Sequence, residues 1–175
     1  MAKLVDSPDV FGSTVFCDDT RMEATGKLIH IGVYQAAMSI HVPFPVRLPT
    51  FSFAISLTQK VNIFDPKVTY RIFLPGDPDD TSDEASIIAE MNEAVVGGFI
   101  KQADALSDAL GVPEERRKYV HTFSNLAFQT LEIKEPGLIK VRADIGGNRY
   151  RIGSLSIAPA PAPAPAPTPT PTPNT

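Results

Sequence analysis

The sequence is poor in the residues that most often announce a chemistry. It carries a single cysteine, Cys17, in 175 residues, which excludes an intramolecular disulfide and any zinc site built from several thiolates. Its three histidines, His30, His41 and His121, stand too far apart for a local metal motif, and each is expected at the surface or on an edge strand. None belongs to an H-E-x-x-H arrangement, and G-x-S-x-G, G-x-x-x-x-G-K-[ST] and G-x-G-x-x-G are all missing, so no nucleophile elbow or phosphate cradle is expected. Basic residues are in deficit, 16 Lys and Arg against 20 Asp and Glu for a net charge of −4. A nucleic-acid partner is therefore not expected, because phosphate neutralisation needs a basic surplus or stripe. No run approaches the ~18 apolar residues of a membrane span, and residues 1–8 hold no apolar stretch of signal-peptide type. With the lone thiol, these absences make a cytoplasmic location without membrane contact the expectation.

Proline, by contrast, is plentiful and uneven. Of 17 prolines, eight fall at every second position from Pro159 to Pro173. The remainder describes one domain of ordinary composition, 43% hydrophobic over the whole chain and large enough to bury roughly 68–70% of its unfolded surface. The Ala/Thr-Pro tail, 158–175, has no charge and no side chain able to pack. Alternating proline biases it to polyproline II or disorder, a spacer reaching roughly 45 Å. Residues 1–12 are expected as an N-terminal arm and 13–157 as the domain.

Most of that domain alternates with period two. Phe51, Phe53, Ile55 and Leu57 interleave with Ser52, Ala54, Ser56 and Thr58; Val68, Tyr70, Ile72 and Leu74 with Thr69, Arg71 and Phe73; and Ile139, Val141, Ala143 and Ile145 with Lys140, Arg142 and Asp144. Each series predicts a strand with one buried face. Ile29, Ile31 and Val33 predict another, with His30 on the opposite face. Gly146-Gly147-Asn148 marks a hairpin turn, and Ser13–Cys17, Met38–Val42 and Phe123–Ile133 add further strands. Parity changes between Tyr150, Ile152 and Leu155, Ile157, which predicts a β-bulge at Gly153. A similar change between Leu126, Phe128 and Leu131, Ile133 has no glycine to explain it and points to a strand buried on both faces. The fold class expected is mainly β: an antiparallel, Greek-key-like sandwich of about seven to nine strands.

One stretch departs from that pattern. Val95, Phe99, Ala103, Leu106 and Leu110 recur at helical spacing, so a helical insertion is expected over about 94–121. Gly111 is placed as its C′ residue, and Pro113-Glu114-Glu115 opens a second short helix with Arg116-Arg117-Lys118 in its last turn. Residues 85–91 fit strand or helix, and strand is preferred.

Two loops are candidate sites. The string Cys17-Asp18-Asp19-Thr20-Arg21-Met22-Glu23 reads as a charged turn in which Asp18 and Asp19 accept backbone N–H groups and Arg21 bridges a carboxylate. The functional alternative is that the Asp18-Asp19 carboxylate pair binds a cation or a partner's basic residue. Glu23 belongs to the same signature turn, of binding or structural role, and Cys17 is read as a small buried hydrophobe. The string C-D-D-x-R-x-E-x-x-G-K-x-x-x-I-G-V-Y, from Cys17 to Tyr34, resembles a bacterial family of small domains with no assigned activity. That resemblance implies a bacterial or phage-related β-sandwich and transfers no catalytic residue. The second loop, 75–84, places Asp77, Asp79, Asp80, Asp83 and Glu84 close together in sequence, a set that ligates calcium if its oxygens converge but lacks EF-hand spacing. A solvated loop is the plainer reading. The expected function is a non-enzymatic binding or accessory module that offers loops or a sheet edge to a protein partner, with no cofactor. The alternative is a calcium- or ligand-binding sandwich, and self-association is left open.

Overall fold

A computed structural model describes residues 3–5, 9–91, 93–113 and 118–161. In chain order its strands are β1 (Lys3–Val5), β2 (Val10–Cys17), β3 (Asp19–Met22), β4 (Leu28–Ile31), β5 (Ala37–Ile40), β6 (Val46–Leu48) and β7 (Phe51–Lys60). A 3₁₀ turn, Val61–Ile63, leads to β8 (Thr69–Phe73) and β9 (Ile87–Glu90). Helix α1 (Glu93–Ala109) precedes β10 (Tyr119–Phe128), β11 (Leu131–Ile133), β12 (Gly137–Ile145) and β13 (Asn148–Pro159). The fold is mainly β, as the alternation predicts, with thirteen strands among the described residues where about seven to nine were expected. The surplus is short pieces such as β1, β6 and β11, three residues each, too brief to show a period.

Two sheets enclose the core. One has the order β1-β13-β12-β8-β9, with β5 also on β13, and the other the order β10-β7-β2. The main ladders are antiparallel, while β1 and β5 join β13 in parallel. The chain changes sheet between β7 and β8, returns between β9 and β10, and changes again before β12, a Greek-key kind of connectivity. Phe51, Phe53, Ile55 and Leu57 of β7 face Tyr70, Ile72, Ile139 and Val141 from the other sheet, all in one buried cluster. Burying that apolar surface is the main driving force available to the fold.

The bulge lies where parity predicts it. The β12–β13 register shifts between Val141 and Arg142, and Ile152 is left with no opposite residue. Tyr150 and Ile152 on one side of the shift and Leu155 and Ile157 on the other all reach the same core. Strand β2 crosses at this point: Thr14 Oγ1 donates to the Ile152 carbonyl at 3.0 Å. A Cβ on Gly153 would come 2.7 Å from Thr14 Cβ, so only glycine admits the crossing.

The helix closes as expected. Gly111, at φ +64°, donates to Asp108 O at 3.0 Å, and Val112 N–H donates to Ser107 O at 2.9 Å, a Schellman pair. Residues 87–90 are a strand; the second short helix falls largely on 114–117, outside the described residues, and residues 119–121, expected within the helical insertion, open β10 instead. Three expectations change. The parity break after Phe128 is not a doubly buried strand: the strand ends at Gln129-Thr130, and β11 leaves to pair with β6. Ile29, Ile31 and Val33 do not face the core. They are 41%, 42% and 49% exposed, because β3 and β4 form a separate hairpin whose His30 side is the one turned inward. Finally, β2 starts at Val10, ahead of Ser13, and β13 continues past Ile157 to Pro159, where Ala160 N–H still donates to Ile40 O at 2.8 Å. The alternating tail otherwise lies outside the described residues.

Candidate functional site

The Cys17–Tyr34 string builds a hairpin around its own polar groups. Asp18 N–H donates to Ile31 O at 2.9 Å and Tyr34 N–H to Phe16 O at 2.8 Å, which pins the hairpin to the end of β2. Tyr34 Oη donates to Asp18 Oδ1 at 2.6 Å while its ring stacks on Phe51, centroids 5.8 Å apart. Burial and that bond to a carboxylate push the phenol up to about 12. Cys17 is fully buried, with Sγ 3.2 Å from Thr20 Oγ1, and Thr20 lies 3.1 Å from His30 Nδ1. Burial pushes the thiol up, against the opposing bond from Thr20. Arg21 Nε meets Asp19 Oδ2 at 2.6 Å on the exposed side. In the turn, Glu23 N–H donates to Lys27 O at 2.8 Å, and the Glu23 carboxylate accepts from Thr25 at 2.9 Å. Among the described residues Asp18 and Asp19 thus accept from the Tyr34 hydroxyl and the Arg21 guanidinium and not from the backbone N–H groups expected of them, and Glu23 accepts from Thr25, so each has a partner within the string.

The acidic loop does something the sequence reading missed. It lies over the outer face of the larger sheet and meets three arginines there. Arg149 is fully buried: Nε and Nη2 donate to Asp144 at 2.6 and 2.8 Å, Nη1 donates to the carbonyls of Asp80 and Ser82 at 3.0 and 2.5 Å, and Nη2 reaches Asp83 at 3.1 Å. Arg142 pairs with Asp80 through Nε at 2.7 Å and through Nη2. Arg71 Nε donates to Asp144 at 2.7 Å, and its Nη1 to Asp83 O at 2.6 Å. Asp77 accepts the N–H groups of Leu74 and Ser86, at 2.8 and 2.9 Å, and Asp79 accepts Thr81 N–H at 2.9 Å, a bond that draws its carboxyl down. Asp77, Asp79, Asp80 and Asp83 thus do not converge on a shared point, and among the described residues no three ligating side chains group to hold a metal. The signal lay in register: Arg142 sits opposite Arg71, and Asp144 opposite Arg149, all on the non-core parity beside a loop of carboxylates.

A different feature forms a pocket. Between the free edges of the two sheets lies a cleft of about 580 Å³, within the usual range for ligand sites. Leu126 of β10, Met91 just after β9, and Tyr70 line it, Val96 of α1 adds to the wall, and Met22 and Leu28 lean in from the β3–β4 hairpin. Its polar groups are few. Ser124 Oγ lies 3.5 Å from Tyr70 Oη, whose ionisation burial pushes up against the opposing hydroxyls of Ser124 and Thr122. A phenol kept neutral is no general base for Ser124 at neutral pH. Glu90 and His121 stand at the rim, His121 Nδ1 lying 2.9 Å from Thr58 Oγ1. The lining suits apolar side chains and hydroxyl contacts.

Strand β10 is the rim's long member. All ten of its residues pair with β7 in unbroken register, and among the described residues no strand pairs with its other side. It contains no Asp, Glu, Lys, Arg or Pro, the devices that usually blunt an edge. Among the described residues no helix is long and apolar enough to cross a membrane. No family model, curated protein or solved structure matches this chain.

Proposed function

We propose that this chain is a cytoplasmic, non-enzymatic binding module that engages a protein partner through the β10 edge and the cleft beside it. The single observation that carries the reading is their coincidence. A ten-residue edge without charge runs along an apolar cleft of about 580 Å³. An extended segment added there would satisfy the edge's backbone groups and set alternate side chains into the cleft, the geometry of β-strand addition. A lipid or small apolar ligand would fill the cleft but leave that row of donors and acceptors to water. The buried, free Cys17 supports the cytoplasmic part of the proposal.

The test is fluorescence anisotropy with a labelled peptide alternating Thr and Leu. Binding should saturate, and Leu126→Glu should abolish it by placing a charge in the cleft. Val42→Glu, at an exposed apolar residue outside the cleft lining, should leave it unchanged. Affinity indifferent to Leu126→Glu would defeat the reading.

A further inference from the structure

We infer that the partner of the β10 edge is a second copy of the same chain, paired antiparallel about a two-fold axis at Phe123. This rests on the β10 edge being the binding surface, and it names the occupant.

The argument starts from parity. Residues 120, 122, 124, 126 and 128 of β10 pair with the core-facing residues of β7, so they point inward, while 119, 121, 123, 125 and 127 point outward. Directly opposed residues of two antiparallel strands point to the same side of the sheet. Two copies joined edge to edge with their cores on the same side must therefore oppose residues of equal parity. Centring on Phe123 meets that condition and opposes Val120 to Leu126, Thr122 to Ser124, His121 to Asn125, and Phe123 to its own counterpart. Aliphatic meets aliphatic, hydroxyl meets hydroxyl, polar ring meets amide, and aromatic meets aromatic. The strand is self-complementary.

Charge points the same way. Identical strands oppose like charges wherever a charged residue lies near the axis, and each such pair is destabilising. Tyr119–Phe128 has none. Of the other terminal strands, β9 is four residues long and ends in Glu90, and β2 is bridged at Phe16 to Tyr34 and tied through Thr14 to the Ile152 carbonyl of the other sheet. Continuous pairing would join the two smaller sheets into one of six strands, ordered β2-β7-β10-β10-β7-β2, and leave no exposed β10 edge for further addition. A two-fold contact of this kind closes on itself instead of growing into fibres.

Sedimentation equilibrium of the full chain over a wide concentration range should show a dimer. Phe123→Lys and Phe123→Glu each set like charges across the axis and should sediment as monomers at concentrations where the wild type is dimeric. Mixed in equal amounts they should recover the dimer, since Lys then opposes Glu. Phe123 pairs on the non-core parity but is half-buried at the cleft, so the melting temperature of both variants is measured beside their sedimentation. Should either melt early, the His121→Cys/Asn125→Cys variant replaces them: mild oxidation should link two chains, because these residues oppose one another only in the proposed register. A wild-type chain that stays monomeric, a dimer that survives both charge variants, or a double cysteine variant that does not link would each overturn the inference. A monomer that still binds the Thr/Leu peptide in a Leu126-dependent way would leave the binding-module reading standing, whereas loss of both would remove it too.

Discussion

Replacing Arg149 with methionine should be among the most damaging single changes to this fold outside its apolar core. Arg149 has a side chain 0% exposed and donates to Asp144, Asp83 and the carbonyls of Asp80 and Ser82. Methionine keeps an unbranched stem beside Phe73, over which the guanidinium now sits at 5.9 Å, so lost packing is a minor part of the change. What remains is Asp144, 18% exposed, with Arg71 as its other arginine, and two carbonyls of the acidic loop with no donor. Removing one partner of a buried ion pair costs about 3–5 kcal/mol, chiefly from the charge left behind. For a chain of this size each kcal/mol moves Tm by about 2–4 °C, so a fall of roughly 6–20 °C is expected. Arg21→Met, which breaks the exposed pair with Asp19, should cost well under about 1 kcal/mol.

The pH dependence fixes the mechanism. Burial alone would raise the Asp144 carboxyl, but hydrogen bonds from Arg149 and Arg71 outweigh it and hold it below the usual carboxylate range. A carboxyl lowered by folding stabilises at pH above its unfolded value, about 3.9, and that contribution drains as pH falls through the folded value. The gap between wild type and Arg149→Met in urea denaturation should thus be widest at neutral pH and narrow below about pH 4. Adding Asp144→Asn to the variant should recover part of the loss at neutral pH. A neutral-pH cost under about 1 kcal/mol, or a gap that does not shrink in acid, would refute the reasoning.

Three further outcomes concern the hairpin. Tyr34→Phe removes the bond to Asp18 at 2.6 Å and should cost about 1.5–3 kcal/mol in urea denaturation, as charge-assisted bonds do; in the wild type, ultraviolet titration should show one phenol ionising near about 12. Gly32→Ala puts a Cβ onto the Asp18 carboxylate at a backbone φ of +65°, so it should destabilise by more than about 1 kcal/mol, measured against Gly26→Ala, which has open space but a similar φ. Cys17, buried with its thiol pushed up, should resist an aromatic disulfide reagent in the native state and react at the rate of unfolding; rapid native labelling would contradict its placement.

Where one face meets the core, the sequence was legible. The β7 and β12 alternations, the bulge at Gly153 and the cap at Gly111 are all local patterns with one physical solution each. The hairpin β3–β4 defeated the same logic because a two-stranded unit need not turn its apolar side to the main core. Ile29 and Ile31 obey the period and point outward, since Thr20 and His30 occupy the inner side beside Cys17. The arginine cluster was hidden for another reason. Arg71, Arg142 and Arg149 look like solvent-facing residues of a one-faced sheet until the loop after β8, whose Asp80 stands 62 residues before Arg142 and 69 before Arg149, covers them. The cleft was invisible because it exists only between strands brought together by two crossings of the chain, and nothing within β9 or β10 alone marks it.

The end of β13 has a consequence for how this sheet can grow. Ser156 and Ala160 direct their N–H groups to the carbonyls of Ala36 and Ile40, so the even residues speak to β5 and the odd ones to β12. β12 has already begun, at Gly137 opposite Ile157, before Pro159 is reached. The donor that proline lacks would point beyond the last β12 pair, Gly137 with Ile157. Pro159 is thus silent toward the vacant side while the next residue keeps its bond to β5, and the ladder ends there like a ruler marked along one edge only. A foreign strand arriving on the unmarked side finds no hydrogen to share at that residue, so the backbone itself weakens the edge there.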